Sequence, residues 1–174
     1  EGDVIYEFVH GQAVPKFPTD EMSPKFFHRS ITGALFTRLS QWAELRGRVR
    51  IEWAISLERS HEPWVPVPDL TYVTYDRLPA DWSKDEACPV SPEIAIDIIS
   101  LGQTFGEMTE KATDYLAAGI SCVWVVDLRT KSITVFLPDA LPKTYRGDMA
   151  IENITLPGLS LTAQQILQQA GLSS

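Results

Sequence analysis

EIAIDIIS, residues 93–100, is almost continuously apolar after Glu93 opens it, with a second carboxylate, Asp97, inside the run. So short and nearly continuous an apolar run fits a strand covered on both faces, which belongs at the centre of a sheet flanked by other layers. The neighbouring segments supply the rest of that sheet. DLTYVTY at 69–75 reads as a strand that Asp69 opens directly after Pro68. Residues 105–118 place Met108, Ala112, Tyr115 and Leu116 on one helical face and stop at Gly119. SCVWVVDL at 121–128 and SITVFL at 132–137 are predicted to pair as a hairpin through Arg129-Thr130-Lys131.

Earlier in the chain, VIYEFV at 4–9 alternates as a strand and runs into a tight turn at Gly11-Gln12. The longest helical pattern covers 22–46. It places Phe27, Ile31, Leu35, Leu39 and Trp42 at spacings of three or four, with Ser23-Pro24 as N-cap and first residue and Gly47 as its stop. RVRIEWAISL at 48–57 predicts one half-buried strand, and the proline-marked stretch 78–92 predicts a loop without periodicity. A short strand near 149–154 and a helix from the N-cap Thr162 to Gln169 complete the expectation. With no repeat or linker, residues 1–174 predict a single α/β domain: a mixed sheet with the two longer helices packed against it.

Composition bounds what this domain does. With 44% hydrophobic and 22% charged residues the chain is globular, and no apolar run approaches the roughly 20 residues of a membrane span. The start at Glu1 carries no basic and apolar leader pattern, and Cys88 and Cys122 have no metal-binding spacing, so a cytoplasmic protein with reduced thiols is expected. A net charge of −8 argues against a broad nucleic-acid surface, because duplex affinity comes mostly from Lys and Arg neutralising phosphates. The local concentration at Arg38, Arg46, Arg48 and Arg50 is either a DNA contact or a solvated helix end.

The candidate chemistry lies in Asp69, Asp97 and Lys111. Asp97 follows Asp69 by 28 residues, and Lys111 comes 14 later. Cutting a phosphodiester builds negative charge on the phosphoryl and leaving oxygens. Two strand-end carboxylates can hold a divalent cation that offsets it, and a lysine can orient water or stabilise the transition state. The expected metal ligands are therefore Asp69 and Asp97 with Glu7 as a third acid, the cofactor Mg²⁺ or Mn²⁺, and Lys111 the catalytic cation. Each residue also has a bland role open to it. Asp69 could form a turn, Asp97 an ion pair with Lys111, and Lys111 an i,i+4 pair with Glu107; Glu7 could face solvent and His28 simply pack.

A series of short motifs resembles the PD-(D/E)XK nuclease superfamily, and within it a large bacterial family of restriction-endonuclease-like proteins. They are YEFVHG at 6–11, His28 early in the long helix, PDLTYV at 68–73, IDIIS at 96–100, KATDYLAAG at 111–119, VWVVD at 123–127 and LPGLSL at 156–161. The resemblance covers nearly the whole chain. It implies a restriction-endonuclease-like mixed sheet and a Mg²⁺-dependent endonuclease that hydrolyses DNA, with a homodimer suiting a two-strand cut. The second acid, usually glutamate in the family, is here Asp97, whose carboxylate is set back by about 1.5 Å. The superfamily lysine two residues beyond the second acid is Ile99 here, and the resemblance hands its role to Lys111. Two other readings suit the same residues: a nuclease fold that binds without cutting, and a hydrolase of small phosphoesters, which needs no basic groove.

Overall fold

The computed structural model describes residues 4–16, 26–152 and 156–172. In chain order the strands and helices are β1 (Tyr6–Val9), β2 (Gln12–Pro15), α1 (Phe26–Ala43), β3 (Gly47–Ile51), β4 (Leu57–Arg59), β5 (Glu62–Trp64), β6 (Leu70–Thr74), β7 (Ile94–Ile98), α2 (Phe105–Ala117), β8 (Cys122–Asp127), β9 (Ser132–Leu137), β10 (Ala140–Arg146) and α3 (Ala163–Gln169). Six strands form a mixed sheet in the order β10-β9-β8-β7-β6-β3, and β1–β2 and β4–β5 are separate hairpins.

The apolar run is the centre, as expected. β7 pairs antiparallel with β6 and parallel with β8, and all five of its residues are buried. A parallel neighbour needs a crossover, and α2 supplies it. Alternation along β7 serves two cores. Ile94, Ile96 and Ile98 enter the one formed with α1 and α3, while Ala95 joins Met108, Ala112 and Tyr115 of α2. Burying each isoleucine contributes about 1.5–3 kcal/mol, so the register of β7 is strongly held. Asp97, two residues after Ala95, therefore faces the α2 side.

Local signals explain where the elements begin. Thr104 caps α2: its hydroxyl accepts from Glu107 N, and Glu107 returns a carboxylate oxygen to the Thr104 amide at 2.7 Å. Thr162 and Gln165 form the same reciprocal cap on α3. His10 and Gly11, with φ of 50° and 73°, make the two-residue turn that matches the twist of a hairpin. That turn sets Glu7 opposite Val14, and residues 12–15, read in advance only as far as the turn, form β2.

Several boundaries differ from expectation. The Ser23-Pro24 cap lies outside the described residues, as do residues 153 and 154 of the predicted strand 149–154. Among the described residues of that stretch only Ala150 makes a bridge, to Thr162, and the last described sheet strand is instead β10, at 140–146. β10 escaped prediction because its side chains are mostly exposed and its pairing with β9 is interrupted by a bulge after Ala140. The predicted strand 48–57 is broken at Glu52, whose φ is 48°, and resumes as β4. Phe27 is 58% exposed, and His28 takes the inward position at the start of α1. The helix stop is Leu45, with φ 66°; Gly47 already belongs to β3.

Arg38, Arg46, Arg48 and Arg50 are dispersed over structural contacts. Arg38 bonds Gln169, Arg46 bonds the Pro157 carbonyl beside the Trp42 ring, and Arg50 bonds the Val49 carbonyl. Arg48 is buried between Tyr75 and Trp82 and donates to the carbonyls of Pro79 and Trp82, tying down the 78–92 loop. Both cysteines are buried, and neither is in a disulfide with the other. Among the described residues no helix is long and apolar enough to cross a membrane.

Candidate active site

β6 and β7 bring the two aspartates together. Their register pairs Leu70 with Ile96, and one step further along it Asp69 stands opposite Asp97. Like charges at facing positions repel, so the pair requires counter-charge. Both carboxylates are buried, Asp69 to 1% and Asp97 to 3% exposure. Asp97 is thus buried within β7, one residue short of its end.

Two lysines and a histidine supply partners. Lys16, one residue past β2, donates its ammonium to Asp69 Oδ1 at 2.5 Å. Asp69 Oδ2 accepts from the Ile98 amide at 2.6 Å and lies 3.2 Å from His28 Nε2. From α2, Lys111 Nζ donates to Glu7 Oε1 at 2.8 Å and stands 3.4 Å from Asp97 Oδ2. Glu7 Oε1 also accepts from the Val67 amide at 3.0 Å, which anchors β1 beside the sheet end. Three carboxylates therefore face two ammoniums.

The environments of the aspartates differ in consequence. Burial works to raise the Asp69 pKa, but Lys16 and His28 override it and hold the carboxyl well below the usual range. Burial pushes Asp97 up, the Lys111 charge opposes this, and Asp69 adds to it. Among the described residues nothing hydrogen-bonds Asp97 Oδ2, although the atom is fully buried. Burial on its own would lower the Lys111 pKa; the charges of Asp97 and Glu7 outweigh it and raise it. Tyr115, one helical turn after Lys111, lies under that ammonium at 5.6 Å from ring centroid to Nζ. Its buried hydroxyl, near Asp97 but outside hydrogen-bond geometry, has its pKa raised by burial and then by Asp97.

All four residues singled out in the sequence, Glu7, Asp69, Asp97 and Lys111, share this cluster, and His28 touches it. Glu107 is engaged in the helix cap, so the i,i+4 alternative for Lys111 does not apply. Lys16 was missed. Counting outward from a two-residue turn at His10-Gly11 puts Lys16 on the same hairpin face as Glu7, a signal that needed the second strand to be recognised.

The donor set suits a hard divalent cation. Carboxylate oxygens are what Mg²⁺ and Mn²⁺ select, and Mg²⁺ is commonly held by one or two carboxylates with the rest supplied by water and phosphate. Among the described residues Asp97 Oδ2 is a buried oxygen without a hydrogen bond, and Asp69 accepts three of about four bonds a carboxylate can take. Among the described residues no three His, Cys, Asp or Glu side chains form a ready-made cage. The two aspartates, with Glu7 reaching them through Lys111, are the donors that fit.

A mixed sheet whose central antiparallel pair opposes two aspartates beneath a helix-borne lysine is consistent with the restriction-endonuclease-like superfamily. The chain belongs to the Uma2 family, described as "Putative restriction endonuclease", whose model matches residues 1–164. Among solved structures it is similar to "a putative nuclease belonging to DUF820 from Anabaena variabilis ATCC 29413". The TM-score is 0.81 at 18% identity, over 98% of this chain and 93% of that one, a likeness of fold. No curated protein matches the chain.

Proposed function

We propose that the chain is a divalent-metal-dependent endonuclease that hydrolyses phosphodiester bonds of DNA. The observation that carries this reading is the buried Asp69–Asp97 pair, with Lys111 Nζ 3.4 Å from an Asp97 oxygen that has no hydrogen bond among the described residues. Asp69 and Asp97 would hold Mg²⁺ or Mn²⁺, with Glu7 assisting. Bound there, the ion would offset negative charge developing on the phosphoryl oxygens. Lys111 acts as an ammonium. Its raised pKa keeps the proton on Nζ, so it orients water or donates to a phosphate oxygen and does not serve as a general base. Glu7 holds that ammonium in place from the hairpin side. A homodimer would let two such sites cut both strands, and DNA is the partner the family description suggests.

The net charge of −8 favours a second reading, hydrolysis of small phosphodiesters, which requires no wide basic surface. Supercoiled plasmid and bis(p-nitrophenyl) phosphate, each with Mn²⁺, Mg²⁺ or EDTA, separate the two. Plasmid nicking with either metal and none in EDTA is expected, and Lys111→Met should lower turnover by about 100-fold or more while metal still binds. Cleavage of the small diester alone would support the second reading. No metal-dependent cleavage of either would sink both, and a Lys111→Met turnover equal to the parent's would remove Lys111 from the chemistry.

A further inference from the structure

The β1–β2 hairpin brings to the site a cation that the proposed chemistry does not use. Lys16 is a buried charge: its side chain is 4% exposed and that of Asp69 2%, and the two are in direct contact. Asp69 is also one of the two proposed metal donors. Its Oδ2 is already committed to Ile98 N and His28, so Oδ1, the oxygen Lys16 holds, is the one left for an incoming ion. An ammonium and a divalent ion on one carboxylate oxygen repel each other across a short, poorly screened distance. The lysine therefore competes with the metal.

We propose that Lys16 is an internal counter-cation that closes the metal position at Asp69, and that a divalent ion enters by displacing its ammonium. This rests on the metal-dependent reading above. In the metal-free state Lys16 and Lys111 together offset two of the three clustered carboxylates, of which Asp69 and Asp97 are buried, and this lets the facing aspartates coexist in the sheet. In the loaded state the ion takes over that task. Movement is available without unfolding the sheet. The hairpin lies outside the six strands, joined through the Phe8–Val65 bridge and the contacts of Glu7, and a lysine head group on its four-carbon stem swings by rotamer changes. The apparent metal affinity is reduced by the fraction of molecules in which Lys16 covers Asp69.

Two measurements test this. The first is calorimetric titration of Mn²⁺ into the metal-free parent, Lys16→Met and Lys16→Arg. Lys16→Met is expected to bind about tenfold tighter or more, and Lys16→Arg, which keeps the charge, to stay near the parent. The second uses the parent alone: acetylation of Lys16 by a soluble amine-reactive ester, read by mass spectrometry, should be slow in EDTA and several-fold faster in saturating Mn²⁺. Removing any nearby positive charge also tightens metal binding, so the labelling isolates displacement, and it decides the matter if Lys16→Met fails to fold. Lys16 equally protected with and without bound Mn²⁺, or Lys16→Met binding no tighter than a parent that does bind, overturns the proposal and leaves the metal-dependent reading standing. No Mn²⁺ binding by any of the three proteins overturns both.

Discussion

Asp69 and Asp97 are the same residue type at facing positions, yet their surroundings drive them in opposite directions, and this gives opposite signs of stability. Asp97 has a folded pKa above its ordinary value of 3.8, mainly through burial. The folded state therefore binds that proton more tightly than the unfolded one, and stability falls as pH rises from about 4 through the folded pKa. In EDTA at pH 7, Asp97→Asn is expected to stabilise the protein by about 1 kcal/mol, an advantage lost near pH 4. Asp69 is the reverse case, since Lys16 and His28 override burial and depress its pKa. Its stabilisation is present above 3.8 and is lost as pH falls through the folded value. Asp69→Asn should therefore cost about 3 kcal/mol at pH 7, because the buried Lys16 ammonium loses the charge opposite it. Urea denaturation of both variants at the two pH values checks the signs. A less stable Asp97→Asn at pH 7 would mean that Asp97 acts chiefly as the ion-pair partner of Lys111.

At the scale of elements, the join between α1 and β3 shows two residues doing work that the bare pattern assigns to one. The pattern makes Gly47 the helix stop. In the fold the left-handed residue is Leu45, 91% exposed with φ 66°, a conformation that glycine adopts without penalty. Gly47 is needed for a different reason: a Cβ there would lie 2.3 Å from the Val73 carbonyl and 2.7 Å from the Tyr72 ring, in the pairing of β3 with β6. Leu45→Gly should therefore stabilise by about 1 kcal/mol. Gly47→Ala should destabilise by about 2 kcal/mol, because the clash is with backbone that pairing holds in place. Equilibrium denaturation tests both, and equal tolerance of alanine at Gly47 would mean that β3 can move away from β6. The same strand pair carries Asp69 one residue ahead of Leu70, so loosening it would also disturb the site.

For the whole molecule, charge decides how DNA could be held. The chain carries −8, and the four arginines at 38, 46, 48 and 50 are occupied with Gln169, backbone carbonyls and aromatic rings. Few phosphates can then be neutralised at once. Duplex binding measured by fluorescence anisotropy in EDTA should show a shallow salt dependence, with a slope of log K against log salt of about −3 or smaller in size. A slope near −6 to −10 would reveal a broad basic surface.

Much of this fold was legible from residue order alone, for physical reasons. An almost continuously apolar run such as 93–100 belongs at the centre of a sheet, and the 3.6-residue period of 105–118 has only one apolar face to bury. Asp97 stood out because a carboxylate is costly inside such an element without a partner, and spacing and the family motifs grouped it with Asp69, Lys111 and Glu7. β2, β4, β5 and β10 were not legible, since they are short, mostly exposed or held by bulges and turns, and exposed strands leave little hydrophobic period to read. Only the tertiary structure decided which charges meet. Lys16, His28 and Asp69 are joined across 53 and 41 residues of chain, and Lys111 and Glu7 across 104. Those meetings depend on hairpin register and on which sheet face each helix covers, and a linear pattern encodes them only once the strands have been paired.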